Sequence, residues 1–262
     1  MYREFLVALG FMTKLPVPFH PDMKLEDFSV IMKYFHLVGL VLGIIYALAA
    51  WISGLVFDPV ITSILIVMTS VALTGALHID GLGDTFDSLF SYRTKERMLE
   101  IMRDPHVGTN GILAVFFLLL LKTALWYYYL QYAVETPFLL LTVPVLGRLS
   151  LVYSCHKGRY AREDGMGGPF IGKVSKKIFY KVLVGALLLS SALCIVFADT
   201  QTLVLHLICF VATLLFVKCF NGFVNSKIGG ITGDTLGAVC ELSELMYLLL
   251  YYVGGVILWT YI

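Results

Sequence analysis

The chain of 262 residues is 59% hydrophobic and only 14% charged, with a mean hydropathy of +0.86, well outside the range of a soluble globular domain. Its formal net charge of +1 is dispersed among loops, which excludes a basic nucleic-acid-binding arm. The composition implies an integral membrane protein, so any electrostatic argument about it has to be local.

In chain order, "MYREFLVALGFMTKLPVPFHP" contains an apolar stretch that is short, lacks a small-residue cleavage site and is stopped by Lys14 and Pro16. It is expected to form an interfacial or half-embedded helix and not a signal peptide. Apolar runs long enough to cross a bilayer, roughly 17 to 25 residues, lie near 36–57, 60–77, 111–133, 137–154, 180–198, 202–219 and 245–262. The expected fold is therefore all-α, a polytopic membrane bundle of about seven transmembrane helices forming a single domain over 1–262. A barrel is excluded because no segment alternates like a strand, and an unsatisfied backbone in lipid costs about several kcal/mol per group. The five cysteines form no C-x-x-C pair and read as structural or incidental.

The connections are of two kinds. Tight turns around "FDP", "VETP" and "ADTQ" carry no Lys or Arg, whereas long polar loops are expected at 78–110, 155–179 and 220–244, the first two rich in basic residues and the third carrying Lys227. With Arg3, Lys14, Lys24 and Lys33 near the N-terminus, the positive-inside rule puts the N-terminus and all three long loops in the cytoplasm. No internal repeat supports a transporter built from inverted halves. Lys122 breaks the partition by sitting within an apolar run, where an ionisable side chain either lines a polar cavity or pairs with a buried partner.

The first long loop begins with "ALHIDGLGDTFDSLF". On a helix Asp80, Asp84 and Asp87 are related by i, i+4 and i+7, so they emerge along one stripe. Two carboxylates about 6 Å apart repel by roughly 3 kcal/mol at an effective dielectric near 20. Protonation or a hard divalent cation relieves that repulsion, and Mg²⁺ suits oxygen ligands supplemented by water and substrate phosphates. The competing reading is an acidic helix end balanced by Arg93, Arg97 and Arg103. His78 is open to roles as ligand, general base or interfacial side chain. Downstream, "RMLEIMRDPHVGTNG" reads as a short amphipathic helix ended by Asp104-Pro105, with Arg103 a candidate for phosphate contact and Asp104 for metal or water positioning.

The second loop, "SCHKGRYAREDGMGGPFIGK", sets Arg159 and Arg162 three apart among glycines, a pattern that clamps an anion or merely reflects topology. The third, "NSKIGGITGDTLGAVCELSELMY", is a Gly-rich turn without the Lys-Ser/Thr ending of a P-loop. Backbone groups around Gly230, Thr232, Gly233 and Thr235 are candidates for holding phosphate, and Asp234 for a further metal ligand or base. Residues alone carry the reading to metal-assisted chemistry on a phosphorylated substrate at one membrane face.

Together "GALHIDGLGDTFD", "RMLEIMRDPHVGTNG", "GRYAREDGMG" and "GGITGDTLGAVCELSE", in this order, closely resemble the cobalamin synthase family, the adenosylcobinamide-GDP ribazoletransferases. "FMTKLPVP" and "YFHLVGLVLG" extend the resemblance over nearly the whole chain; Gly83, where many members have alanine, and "SCHK" ahead of Arg159 are minor departures. The resemblance implies joining adenosylcobinamide-GDP to α-ribazole or its 5'-phosphate, with release of GMP, by a Mg²⁺-dependent multi-pass enzyme of the prokaryotic inner membrane. On that reading Asp80, Asp84, Asp87 and Asp234 serve the metal, Arg103, Arg159 and Arg162 the phosphates, and Asp84, His78 and Asp104 compete as the base. Besides the two substrates, the expected partner is the lipid bilayer and not nucleic acid; a homo-oligomer and contacts with enzymes of the same pathway stay open. The rival readings are another aspartate-rich membrane transferase, of CDP-alcohol phosphotransferase or prenyltransferase type, and, less favoured, a transporter.

Overall fold

The computed structural model describes residues 2–18, 28–165 and 167–261. Among them every extended element is a helix. In order these are α1 (Tyr2–Met12), α2 (Phe28–Ile31), a 3-10 turn (Met32–Tyr34), α3 (Phe35–Gly54), α4 (Pro59–Thr74), α5 (Leu77–Leu89), α6 (Lys95–Ile101), α7 (Thr109–Tyr132), α8 (Thr136–Lys157), α9 (Lys176–Phe197), α10 (Thr200–Ile228) and α11 (Gly233–Tyr261). Six helical segments are long and apolar enough to cross a membrane, and α4 with α5 makes a seventh crossing if the bent pair counts as one.

The bundle is organised around α8. Its apolar stretch is 94% buried, against 28% for α7 and for α9, so α8 is the central post and the other two face lipid along most of their length. A helix apolar on every side belongs in such an interior position. It packs tightly on α3 because Gly39 and Gly43 carry no side chain: an added Cβ would stand 2.5 Å from the Pro144 carbonyl oxygen and 2.7 Å from the Leu141 Cα. Small residues one helical turn apart are the usual means of bringing membrane helices backbone to backbone.

Two local devices turn the chain. Asp58 caps α4 by accepting a hydrogen bond from the Ile61 amide at 3.0 Å, with Pro59 in the first turn. At the other end Gly75 (φ +61°) and Ala76 (φ +59°) are both left-handed, and α5 leaves at 91° to α4. A left-handed alanine is costly, so the bend is held by packing; the Lys14 amide donates to the Leu73 carbonyl at 2.7 Å. α5, with 13 residues and three carboxylates, is too short to cross by itself.

The expected loop at 220–244 is the principal correction to the sequence reading. α10 runs on to Ile228 and α11 begins at Gly233, leaving four residues between them. Polar residues such as Asn221, Asn225, Glu241 and Glu244 lower the hydropathy there without interrupting the helices, because their side chains find partners within the bundle or point away from it. The expected loop at 78–110 likewise contains α5 and α6.

Candidate active site at the loop end of the bundle

Three loops distant in sequence meet at one end of the bundle. The α10–α11 turn and the α8–α9 loop are stitched together by backbone: the Ile231 amide donates to the Arg159 carbonyl at 2.8 Å and the Ala161 amide to the Ile231 carbonyl at 3.0 Å. Arg162 then reaches Asp234, Nη2 to Oδ2, at 2.9 Å. Arg103, just after α6, pairs with Asp164 at 2.8 Å and ties the first loop to the second.

The start of α11 is built by a reciprocal cap. The Thr232 amide donates to the Thr235 Oγ1 at 2.8 Å, and the Thr235 amide to the Thr232 Oγ1 at 3.3 Å, the logic of a capping box with threonine in the third position. The cap fixes Asp234 in the first turn, where the helix dipole favours a carboxylate. α5 comes up against this turn because residue 81 is glycine: a Cβ there would lie 2.6 Å from the Asp234 carbonyl oxygen. Asp80 and Asp234 thus line one cavity where α5 meets α11, with Asp84 one turn along α5 from Asp80.

Their charges are felt mutually. Asp84 is pushed up to about 7, first by burial and then by the carboxylates of Asp80, Asp234 and Asp87, with Arg162 opposing. A carboxyl that holds its proton near neutrality because of burial and like neighbours is a candidate for cation binding or proton handling. Asp87 has a different employment from the one its spacing implies. Its two oxygens accept from the Gly108 amide at 2.6 Å and the Gly111 amide at 2.9 Å, capping the start of α7.

The other sequence candidates are distributed unevenly. Thr232, Gly233 and Thr235 form the cap itself, and the buried Gly230 lies against the Arg159 carbonyl oxygen. Arg159 is exposed beside the bridge. Asp104 is exposed and held below its usual range by the backbone amide and imidazole of His106, the latter at 2.6 Å. His78 is only 3% exposed; it lines a cavity of about 230 Å³ that opens beside Asp80, Arg162 and Asp234. The apolar walls of that cavity went unnoticed in the sequence, since an apolar residue in an apolar chain carries no signal.

Lys122 resolves as a paired residue. Its Nζ lies 2.6 Å from Glu241 and 2.7 Å from Glu244, and Arg148 Nη1 lies 2.6 Å from the other Glu244 oxygen. This four-charge cluster sums to zero inside the bundle.

The fit of a divalent cation follows from the donor set. Among the described residues no three carboxylate, imidazole or thiol groups stand close enough to form a ready-made metal cage. Mg²⁺, however, is commonly held by one or two carboxylates with substrate phosphates completing its shell, and Asp80 and Asp234 on the cavity rim offer that minimum.

Residues 4–252 match the family model described as cobalamin-5-phosphate synthase. The chain belongs to the cobalamin-5-phosphate synthase family. It is 39% identical over 252 residues to the adenosylcobinamide-GDP ribazoletransferase of Clostridioides difficile (strain 630), covering 95% of this chain and 97% of that protein. It is 41% identical over 252 residues to the enzyme of the same name from Alkaliphilus metalliredigens (strain QYMF), covering 94% of each. The Thermoanaerobacter pseudethanolicus protein, again so named, is 41% identical over 254 residues, covering 95% of this chain and 96% of its own. No solved structure matches the chain. Membership of this family agrees with the resemblance read from the motifs, and all four motif stretches fall inside the matched region.

Proposed function

We propose that this member of the cobalamin-5-phosphate synthase family joins adenosylcobinamide-GDP to α-ribazole or its 5'-phosphate and releases GMP. The ribazoletransferase name carried by the full-length relatives supports this reading. The observation that carries it in the structure is the convergence of Asp80, Asp84 and Asp234 with Arg162 at one end of the bundle. The positive-inside count supports a cytoplasmic position for that end, where nucleotide substrates are made, in a prokaryotic inner membrane.

A ribose hydroxyl of the nucleoside attacks the corrinoid-proximal phosphorus; the new P–O bond forms as the bond to GMP breaks, and the hydroxyl proton passes to a carboxylate. Such transfers depend on positioning and on neutralising phosphate charge. Asp80 and Asp234 would hold Mg²⁺, which when bound supplies positive charge to the phosphate oxygens. Asp84 takes the proton, since its proton affinity lies near neutrality, the useful range for a general base. Arg162 exchanges its bond to Asp234 for a phosphate oxygen, and Arg159 and Arg103, exposed at the loop surface, meet the remaining phosphate charge. Asp87 serves the site indirectly by fixing α5 to the start of α7.

GMP release by the purified protein in nanodiscs, given both substrates with and without Mg²⁺, tests this directly. Formation of GMP that needs both substrates and stops on chelation is expected; hydrolysis without joining, or no release at all, overturns the reading.

A further inference from the structure

Two hollows open at the loop end of the bundle. One is the cavity of about 230 Å³ lined by Asp80 and Asp234. The other is a groove of about 400 Å³ on the loop surface, lined by charged side chains that include Lys95, Arg103 and Glu163. Among the described residues Arg162 alone lines both, so its side chain is the partition between them.

That partition hangs on a single carboxylate. Arg162 Nη2 lies 2.9 Å from Asp234 Oδ2 with the side chain 12% exposed, and Asp234 is its one hydrogen-bond partner among the described residues. Nε is buried and has no partner among protein atoms. A guanidinium fixed for good in a partly buried site normally spends its planar fork of donors on several acceptors, and this one leaves part of its fork unspent. The backbone on either side, by contrast, is pinned. The Ala161 amide donates to the Ile231 carbonyl at 3.0 Å, and Asp164 is held by the Tyr160 hydroxyl, which donates to its carbonyl at 2.9 Å, and by Arg103. What is left to move is the Arg162 side chain. Asp234 stays aimed without it, because the Thr232 hydroxyl donates to the same Oδ2 at 3.3 Å.

We propose that Arg162 is a gate, latched on Asp234 and released when a divalent cation takes that carboxylate, so that groove and cavity become one continuous site. Charge decides the exchange. A guanidinium spreads one charge over a plane, whereas Mg²⁺ concentrates two on a small ion that seeks carboxylate oxygens, and Asp80 lines the same cavity to share it. The freed guanidinium is then available to a phosphate in the groove. The inference deepens the proposed function by giving its site an order of entry, cation first and phosphorylated substrate second. It rests on that reading for the substrate only.

Arginine reactivity tests the gate with no substrate present. The full chain in nanodiscs is treated with phenylglyoxal, with Mg²⁺ or with NaCl at the same ionic strength, and each arginine is followed by peptide mass spectrometry. Mg²⁺ is expected to speed modification of Arg162 about fivefold or more, while the exposed Arg159 reacts equally in both and NaCl has no effect. Asp234→Asn is expected to make Arg162 react fast without Mg²⁺ and to remove the response to it. By isothermal titration Arg162→Met is expected to bind Mg²⁺ about fivefold more tightly than wild type, since the competing cation is gone. An Arg162 rate in wild type that Mg²⁺ leaves unchanged, or that NaCl raises as much, overturns the proposal whether or not the variants fold; so does the absence of Mg²⁺ binding, or equal or weaker binding in a folded Arg162→Met. GMP release by a protein whose Arg162 never responds to Mg²⁺ would sink the gate and leave the activity standing. Mg²⁺-dependent exposure of Arg162 without GMP release would support the gate and sink the activity alone.

Discussion

α11 carries two charge clusters that obey opposite rules. Deep in the bundle Glu241 and Glu244 meet Lys122 and Arg148 in contacts of 2.6 and 2.7 Å, two negative against two positive. At its first turn Asp234 faces Asp80 and Asp84 with Arg162 as the cation in contact, and Asp84 keeps its proton to about 7. A charge-neutral cluster calls for no further ion and serves to hold helices together, although Arg148 Nε and Nη2 find no hydrogen-bond partner among protein atoms. A cluster short of positive charge is waiting for a cation or a proton, and this one sits where three loops meet. On the proposed function, the difference separates structural from functional charge on one helix.

The sharpest test removes one member from each cluster. Asp84→Asn is expected to lower kcat about a thousandfold, within the range of a lost general base, with the thermal unfolding midpoint of the solubilised protein unchanged or raised. Full activity in that variant would collapse the distinction. Glu244→Gln leaves Lys122 and Arg148 short of a partner; breaking a buried pair in this way costs about 3–5 kcal/mol, read as loss of folded yield or a much lower unfolding temperature. Adding Arg148→Met should recover part of that stability, because the orphaned cation goes with it while Lys122 keeps Glu241.

The pH dependence follows from the raised proton affinity of Asp84. The folded protein without metal binds that proton more tightly than the unfolded chain, so this group's contribution is complete below about pH 4 and is lost as pH rises toward 7. Mg²⁺ replaces the proton, so apparent Mg²⁺ affinity is expected to weaken as pH falls below 7, and saturating Mg²⁺ should flatten the loss of stability between about pH 4 and 7. Isothermal titration at pH 6 and pH 8 with melting curves at each checks both. A smaller effect belongs to the cap of α11: Thr235→Ala should cost about 1 kcal/mol of stability and weaken Mg²⁺ binding by loosening Asp234. Smallest is Asp104→Asn, where the carboxylate is exposed and engaged with His106; activity within twofold of wild type is expected in steady-state assays.

Much of this was legible in the linear chain. Hydropathy located the crossing helices, since burial in lipid demands long apolar runs, and the clustering of Lys and Arg sorted the loops to one end, where Arg103, Asp164, Arg162 and Asp234 do meet. The i, i+4, i+7 spacing set Asp80, Asp84 and Asp87 on one stripe of a helix that the structure contains as α5. Partnership was not legible. Asp87 spends both oxygens on amides at the start of α7, and Lys122 finds glutamates about 120 positions away.

The sequence by itself thus determined a helical membrane protein of this family and the end at which its polar loops gather, because hydropathy, charge bias and short-range periodicity are local properties. Only the tertiary structure decided which charges are spent and which remain, that residues 220–244 are mostly helix, and that a cavity stands beside the aspartates. Those depend on contacts between α5, α8 and α11, where a glycine's missing side chain or a buried ion pair acts on a residue far away in the chain.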